Sequence, residues 1–301
     1  MAGNSISKFG HTHLIEPQFF ANWYMPMLVA LLDEHRVEAD SAKKGAKYQC
    51  PHCHEVVILK QGRIRTHHFA HKPPVGCAWG KGETHEHREA KKLFRDEFVR
   101  RGLRAEVECE IHSLSDDRRA DVVVWSPKGN RFALELQHTG IDYANLERRT
   151  LSYIRAGVPV LWIPFLQPKF WEAAKQLAPN EDGDYRIERF TARPLDQWVH
   201  DFYYKKPWMY DPRSGAVWRY RLGKHLLYKN YSSWHDGDGN EQSAGESWYP
   251  STRWQELTLW GPYSLDQILI DVLDRKADVV SNRRYPGGKV AKLVLRRVAS
   301  R

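Results

Sequence analysis

The sequence predicts an α/β protein whose core runs helix, three strands, helix, strand, with a small cysteine-rich module before it and an aromatic-rich α+β region after it. Three observations carry that prediction. An amphipathic pattern spans residues 86–101, strand-like runs follow in close order up to residue 163, and three of the four cysteines fall between Cys50 and Cys77.

The elements follow in chain order. Residues 1–25 have little periodicity and read as an arm. Residues 26–80 form the expected metal-binding module, which opens on a short apolar run over residues 27–32. Cys50-Pro51-His52-Cys53 is a two-residue-spaced knuckle, followed by a strand over residues 56–60, a Gln61-Gly62 turn, a strand over residues 65–69, and then His71 and Cys77. A tetrahedral zinc site needs four such N and S ligands. Cys50, Cys53, His71 and Cys77 are the expected set, with His68 the rival for the third position and His67 and His52 outside it. This is a zinc-ribbon-like arrangement with structural Zn²⁺.

The core is expected over residues 81–167. Ala90, Leu93, Phe94 and Phe98 recur at helical spacing, Thr84 can cap the helix and Gly102 can end it. In the first strand Ala105, Val107, Cys109 and Ile111 alternate with Glu106, Glu108 and Glu110, the period of a half-buried strand. Residues 122–125 and 158–163 are apolar throughout, as strands covered on both faces would be. Residues 132–137 form the third strand, and residues 142–156 form a helix stopped by Gly157.

The segment from Asp121 to Gln137 holds the chemistry. Ser126-Pro127-Lys128-Gly129-Asn130 is hairpin-loop composition. If Trp125 pairs with Arg131, Asp121 lies opposite Glu135, and directly opposed residues have Cβ atoms roughly 4.5–5.5 Å apart on one face. Two carboxylates so close repel unless a cation lies between them. Mg²⁺ or Mn²⁺ suits oxygen ligands and can activate a water beside a phosphodiester. Gln137 projects from the same face as Glu135, while Phe132, Leu134 and Leu136 face the core. The alternative is a solvated or salt-bridged acid pair, with Arg118, Arg119 and Arg131 near enough to bridge. Glu89, Glu97, Glu108 and Glu110 are further acids that could complete a metal shell.

Several strings together resemble the competence protein CoiA family: Arg119-Ala120-Asp121-Val122, Ala133-Leu134-Glu135-Leu136-Gln137-His138-Thr139, Arg149 and Tyr153 in the second helix, and Val160-Leu161-Trp162-Ile163. The resemblance covers about residues 26–165 and extends to the Cys-x-x-Cys, His-Phe-Ala-His and Cys pattern and to Glu83-Thr84, His87 and Lys91. That family belongs to the PD-(D/E)xK nuclease superfamily, so the resemblance implies a restriction-endonuclease-like core with Asp121 and Glu135 as metal-binding residues. Gln137 stands where many relatives have Lys, a departure shared with the CoiA group, and it removes a fixed positive charge from the site.

Further contacts are expected around that centre. Arg149 and Tyr153 share a helix face and either touch the scissile phosphate or brace the helix against the sheet. His87 and Lys91 share a face of the first helix; either they reach phosphate, or that face, with Arg88, Lys92 and Arg95, is simply solvated.

Residues 168–301 hold most of the 12 Trp. Residues 208–210 and 217–220 read as a hairpin, and residues 263–274 as a helix. Tyr203, Tyr204, Lys205, Lys206, Trp208 and Tyr210 interleave aromatic and basic residues, either as a single-stranded nucleic-acid surface or as the core of a small β-rich unit. The chain ends in basic residues from Lys289 to Arg301.

Composition bounds the partners. In 301 residues, 46 Lys and Arg against 37 Asp and Glu give a formal net charge of +9, which favours a polyanion. Residues 1–10 lack a basic start followed by an apolar run, and no run approaches about 18 apolar residues. Few cysteines argue against a disulfide scaffold. The expectation is a soluble cytoplasmic protein that acts on DNA, with no membrane partner and no oligomeric state specified. Three function classes follow: a metal-dependent deoxyribonuclease, a non-catalytic zinc-containing DNA-binding adaptor, or a structural partner in recombination or phage-defence assemblies.

Overall fold

The computed structural model describes residues 26–72, 77, 79, 83–113, 117–170, 179, 184–230, 233–243 and 245–296. The expected arm, residues 1–25, and the end of the basic tail, residues 297–301, lie outside the described residues. The described chain is a mixed α/β structure, rich in strands and with few helices.

The N-terminal module is one sheet of six short strands: β1 (Pro26–Met27), β2 (Val29–Leu32), β3 (His35–Glu38), β4 (Tyr48–Gln49), β5 (Val56–Lys60) and β6 (His68–His71), in spatial order β1-β6-β5-β4-β2-β3. Its core is Met27, Ala30, Tyr48, Val57 and Phe69. The second hairpin strand runs over residues 68–71 rather than the expected 65–69, with Lys60 opposite His68 and Val57 opposite His71. This register buries Phe69, Ala70 and His71, while Ile64 stays 92% exposed in the loop. Leu28 and Val29 turn the other way and join the neighbouring core, so the first strands tie the two units together.

The central unit comprises helix α1 (His85–Arg100), strands β7 (Ala105–Ile111), β8 (Arg118–Trp125) and β9 (Arg131–Gln137), helix α2 (Tyr143–Arg155) and strand β10 (Val160–Pro164). Thr84 caps α1 by accepting from the His87 N–H, and Asp142 caps α2 by accepting from the Asn145 N–H. The sheet order is β10-β9-β8-β7. Because β10 runs parallel to β9, the chain must cross over, and α2 provides the crossover. Strands β8 and β9 pair with Trp125 opposite Arg131 and Val122 opposite Leu134, which is the register read from the loop.

Two sequence readings of this unit change. The inward stripe of α1 is Arg88, Ala90, Lys91, Phe94 and Phe98, while Leu93 remains 39% exposed. The basic residues of α1 do not form a solvated face: Lys92 pairs with Asp40 at 3.0 Å, and Arg95 pairs with Glu38. In β7 the alternation breaks at Glu108, which has φ +53 and is fully buried. A left-handed residue inside a strand turns its side chain away from the face that simple alternation assigns.

The rest of the chain builds on the same core. Strands β11 (Tyr185–Phe190), β12 (Trp208–Asp211), β13 (Ala216–Asn230) and β16 (Glu246–Tyr263) form a sheet in the order β11-β16-β13-β12, with helix α3 (Pro194–Phe202) between β11 and β12. The hairpin of β12 and β13 pairs Trp208 with Arg219 and Tyr210 with Val217, as the turn composition suggested. Strands β14 (Ser233–His235) and β15 (Glu241–Ser243) form a small hairpin between β13 and β16.

Residues 263–274 are not helical. They comprise the end of β16, a single 3-10 turn at Leu265–Gln267 and strand β17 (Ile268–Arg275), which pairs along its length with β20 (Gly288–Leu295). Ile268, Ile270 and Val272 suit a strand through their β-branched side chains, and the partner strand overrides the helical spacing. Strands β18 (Asp278–Val280) and β19 (Arg283–Tyr285) form the hairpin between them.

Leu195, Trp198, Phe202, Trp208, Tyr210 and Val290 share one hydrophobic core with Phe94, Leu134 and Trp162. Tyr203 locks the junction, its hydroxyl accepting from the Trp162 N–H at 3.0 Å and donating to Val160 O. Tyr203, Trp208 and Tyr210 are therefore packed inside, whereas Trp234 in the β14–β15 hairpin and Trp248 near the start of β16 are 54% and 63% exposed. No helix among the described residues is long and apolar enough to cross a membrane.

Candidate functional site

The sheet and the start of α1 enclose a cleft of about 180 Å³ lined by Glu83, Thr84, His87, Lys91, Arg119, Asp121, Gln137, His138, Thr139 and Arg149. Its floor follows from the strand register. The β8–β9 ladder ends at Val122 and Leu134, one residue short of Asp121 and Glu135. Past that point the Asp121 carboxylate replaces the backbone partner, with Oδ2 accepting from the Leu136 N–H at 2.8 Å. Both acids are thus fixed at the point where the two strands stop pairing.

Asp121 is held on its open side by Lys91 and His87. Its Oδ1 lies 3.2 Å from Lys91 Nζ, and its Oδ2 lies 3.1 Å from His87 Nε2. Burial alone would raise its pKa, but His87, Lys91 and the Leu136 N–H outweigh it and hold the carboxyl far below the usual range. Glu135 is treated in the opposite way. It is 1% exposed, Tyr153 donates to Oε1 and Arg149 to Oε2. Burial pushes its pKa up, Arg149 only partly offsets this, and the negative charge of Asp121 adds to the rise. The two facing acids therefore have pKa values pushed apart, which is how one site can keep one carboxylate charged and the other readily protonated.

Lys91 organises the remaining acids. Its ammonium is 2.6 Å from Glu83 Oε1, 3.2 Å from Glu108 Oε1 and 3.2 Å from Asp121 Oδ1, with the side chain 1% exposed. Burial works against the charge, yet Glu83, Asp121 and Glu108 together raise the pKa above its ordinary value. Glu108 also accepts from the Leu28 N–H and lies 4.0 Å from Arg119, whose guanidinium stacks on Trp79. Trp79 in turn stacks on His52 of the cysteine knuckle. A continuous chain of contacts thus links the N-terminal module to the acidic cleft.

The sequence-predicted residues distribute unevenly around this centre. Asp121, Gln137, His87 and Arg149 line the cleft. Glu135 and Tyr153 lie beneath it, and Tyr153 is fully buried with its hydroxyl on Glu135, which is the bracing alternative of the two considered. Lys91 faces the acids rather than solvent. Gln137 donates from Nε2 to Thr139 O and Oγ1, and its Oε1 lies 3.5 Å from Arg149. Of the four further acids considered, Glu108 alone touches the site's ions; Glu97 pairs with Arg100 and Arg101 at the far end of α1. Sequence reading did not single out Glu83 as an acid of the site; it precedes the Thr84 cap of α1, so helical spacing does not assign it to the face that carries His87 and Lys91.

Asp121, Glu135, Glu83 and Glu108 are hard oxygen donors, the chemistry that holds Mg²⁺ or Mn²⁺. Glu83 Oε1 is ion-paired with Lys91 at 2.6 Å, while Oε2 is buried without a hydrogen bond, so one oxygen of the donor set is open to a further cation. The ammonium of Lys91 already neutralises part of it.

The second constellation is sulfur-based. Cys50, Cys53, His71 and Cys77 offer ligand atoms that all lie within 4.8 Å of one another. Cys50 Sγ and Cys77 Sγ are 3.9 Å apart, and Cys53 Sγ is 3.2 Å from His71 Nε2. Tetrahedral ligands at about 2.3 Å from zinc sit roughly 3.8 Å apart, so the spacing is consistent with a structural zinc-like site. His68 is not part of the cluster; its Nδ1 is engaged by Thr66 O. Burial pushes the Cys50 thiol up to about 12, so thiolates here call for a cation beside them.

Residues 31–80 match the family model described as competence protein CoiA, N-terminal domain, and residues 83–226 match competence protein CoiA, nuclease-like domain. Comparison with curated proteins and with solved structures returned no match.

Proposed function

Since the chain belongs to the competence protein CoiA family, with more than half of it covered by that family's two domains, we propose that the acidic cleft is a nuclease site. It would cleave DNA phosphodiester bonds with the help of Mg²⁺ or Mn²⁺ on a restriction-endonuclease-like core, in the cytoplasm, on incoming or otherwise foreign DNA. One observation carries the reading: Asp121, part-buried at the cleft floor, and Glu135, buried beneath it, are fixed where two strands stop pairing, under a cleft rimmed by His87, Gln137 and Arg149.

Asp121 and Glu135 would hold the metal ion, which supplies charge stabilisation and an activated water when bound. The other roles belong to this chain's own side chains. Lys91 binds Glu83, Glu108 and Asp121 together and so limits the charge left for an added ion. Tyr153 keeps Glu135 in one orientation. Arg149, shared between Glu135 and Gln137 and 24% exposed, can exchange its carboxylate for a phosphate oxygen, as a guanidinium fork does readily. His87 sits at the rim within reach of the same backbone. In this reading Cys50, Cys53, His71 and Cys77 bind Zn²⁺ and keep the N-terminal module folded.

The purified chain incubated with single-stranded, double-stranded and branched DNA, with and without Mg²⁺ or Mn²⁺, tests the proposal. Wild type should degrade at least one substrate only with metal, and Asp121→Ala and Glu135→Ala should not. A specific observation favours a second reading, a non-catalytic DNA-binding adaptor: every oxygen of Asp121 and Glu135 already has a protein partner. DNA binding without degradation in any metal would decide for the adaptor.

A further inference from the structure

Away from the acidic cleft, a second cleft of about 480 Å³ lies where the β12–β13–β16 sheet meets β17 and β20. It is lined by Tyr203, Tyr204, Lys206, Trp208, Arg219, Leu273 and residues 292–295, and no acid is among those residues. Strand register explains its chemistry. Trp208 pairs with Arg219 and Arg219 with Trp260, so the three side chains form one row across a sheet face, and Arg221 stands two residues along on the same face. Arg219 and Arg221 both lie 5.8 Å from the Trp260 ring centroid. Lys206 and Tyr204 are exposed at the mouth. Tyr204 and Lys205 have φ of +51 and +63, a conformation costly for residues other than glycine. Leu273, Leu293 and Leu295 supply apolar surface.

We infer that this cleft binds single-stranded DNA, with a base seated against Tyr204 and the leucines and the strand's phosphates on Lys206, Arg219, Arg221 and Lys292. Two features of the site select that ligand. Lys292 has a carboxylate partner, Asp271 at 3.3 Å, whereas no ion pair engages Lys206 or Arg219 among the described residues, so their charge is available to an anion. Aromatic and apolar surface beside that charge matches an unpaired base, and a duplex does not offer its base faces. The inference rests on DNA being the partner, as proposed above, but not on cleavage.

The test is binding of a labelled oligothymidine to the full chain by fluorescence anisotropy in EDTA, over a range of salt. Tyr204→Ala should weaken binding at least about fivefold, the lower end of one base stack. Lys206→Ala/Arg219→Ala should weaken it and lower the slope of log affinity against log salt by about 1.4, about 0.7 for each lost cation. Lys44→Ala, an exposed lysine of the N-terminal module, is the control for loss of charge alone and should bind as wild type. Circular dichroism checks that each variant is folded. Wild-type affinity and slope in the cleft variants would overturn the inference, as would an equal loss for duplex and single strand, or binding to oligouridine but not oligothymidine. A failure to cleave any DNA leaves these readouts unchanged.

Discussion

Replacing Lys91 by methionine removes the cation that touches Glu83, Glu108 and Asp121 together while keeping a side chain of similar length and girth. Removing one partner of a buried ion pair costs about 3–5 kcal/mol, because it leaves an uncompensated charge. The lower end applies here, since Asp121 keeps His87 and the Leu136 N–H and Glu108 keeps Arg119 at 4.0 Å. At about 3 kcal/mol the melting temperature should fall by on the order of 5–10 °C. The pH dependence identifies the cause. A raised lysine pKa contributes stability that is fully present below its unfolded value of 10.5 and is lost only above it, so wild type keeps this contribution throughout the neutral range. In the variant Asp121 and Glu108 lose the ammonium that helps hold their pKa values down. The deficit should therefore be large at pH 8 and shrink as the acids take up protons toward pH 5. Mg²⁺ should also raise the melting temperature of the variant more than that of wild type, since a divalent ion can replace the missing charge. Thermal and denaturant unfolding at the two pH values, with and without Mg²⁺, measures all three effects. A variant within about 1 kcal/mol of wild type at pH 8, or with the same deficit at pH 5, would refute the argument that Lys91 is the counter-ion of this acid group.

The other predictions concern its neighbours. Glu135 has a raised pKa, so its ionisation removes stability as pH rises above 4.5; Glu135→Gln should abolish that decline, read as the pH slope of unfolding free energy relative to wild type. Tyr153→Phe deletes the hydroxyl that donates to Glu135, and should cost about 1–3 kcal/mol in denaturant unfolding, because a buried carboxylate oxygen loses its donor. Cys50→Ser should lower the zinc content measured by metal analysis and loosen the N-terminal module in hydrogen exchange, and full zinc stoichiometry would reject the ligand set.

The hairpin was legible because its register follows from a short loop and two apolar runs: once Trp125 faces Arg131, the positions of Asp121 and Glu135 follow. The cysteine knuckle was legible for a similar reason, since metal ligands are few and closely spaced. Residues 263–274 misled because Leu265, Ile268, Leu269 and Val272 recur at helical spacing, while the partner that makes a strand of them, β20, lies about twenty residues further along. Periodicity records a segment's own preferences and not the partner it will find.

The acids of the cleft pose a different problem, because burial of a charge depends on what surrounds it. Glu108 stands in a strand whose alternation assigns it to solvent, and only its left-handed backbone and the arrival of Lys91, Arg119 and the Leu28 N–H from three other segments make it an interior ion. None of those partners is adjacent in sequence. Lys91 likewise sits among basic neighbours that read as one surface, yet Lys92 and Arg95 bind the N-terminal module while Lys91 turns inward. Helical geometry separates them: Lys91 falls with Phe94 and Phe98 on the buried stripe, where a lysine is tolerated only opposite acids. The module and the cleft therefore share α1 as a common wall, one edge carrying the ion pairs that dock the module and the other carrying the ammonium that holds the acids together. A metal-loaded knuckle and an ordered acid group should accordingly be coupled through that helix and through the His52–Trp79–Arg119 stack.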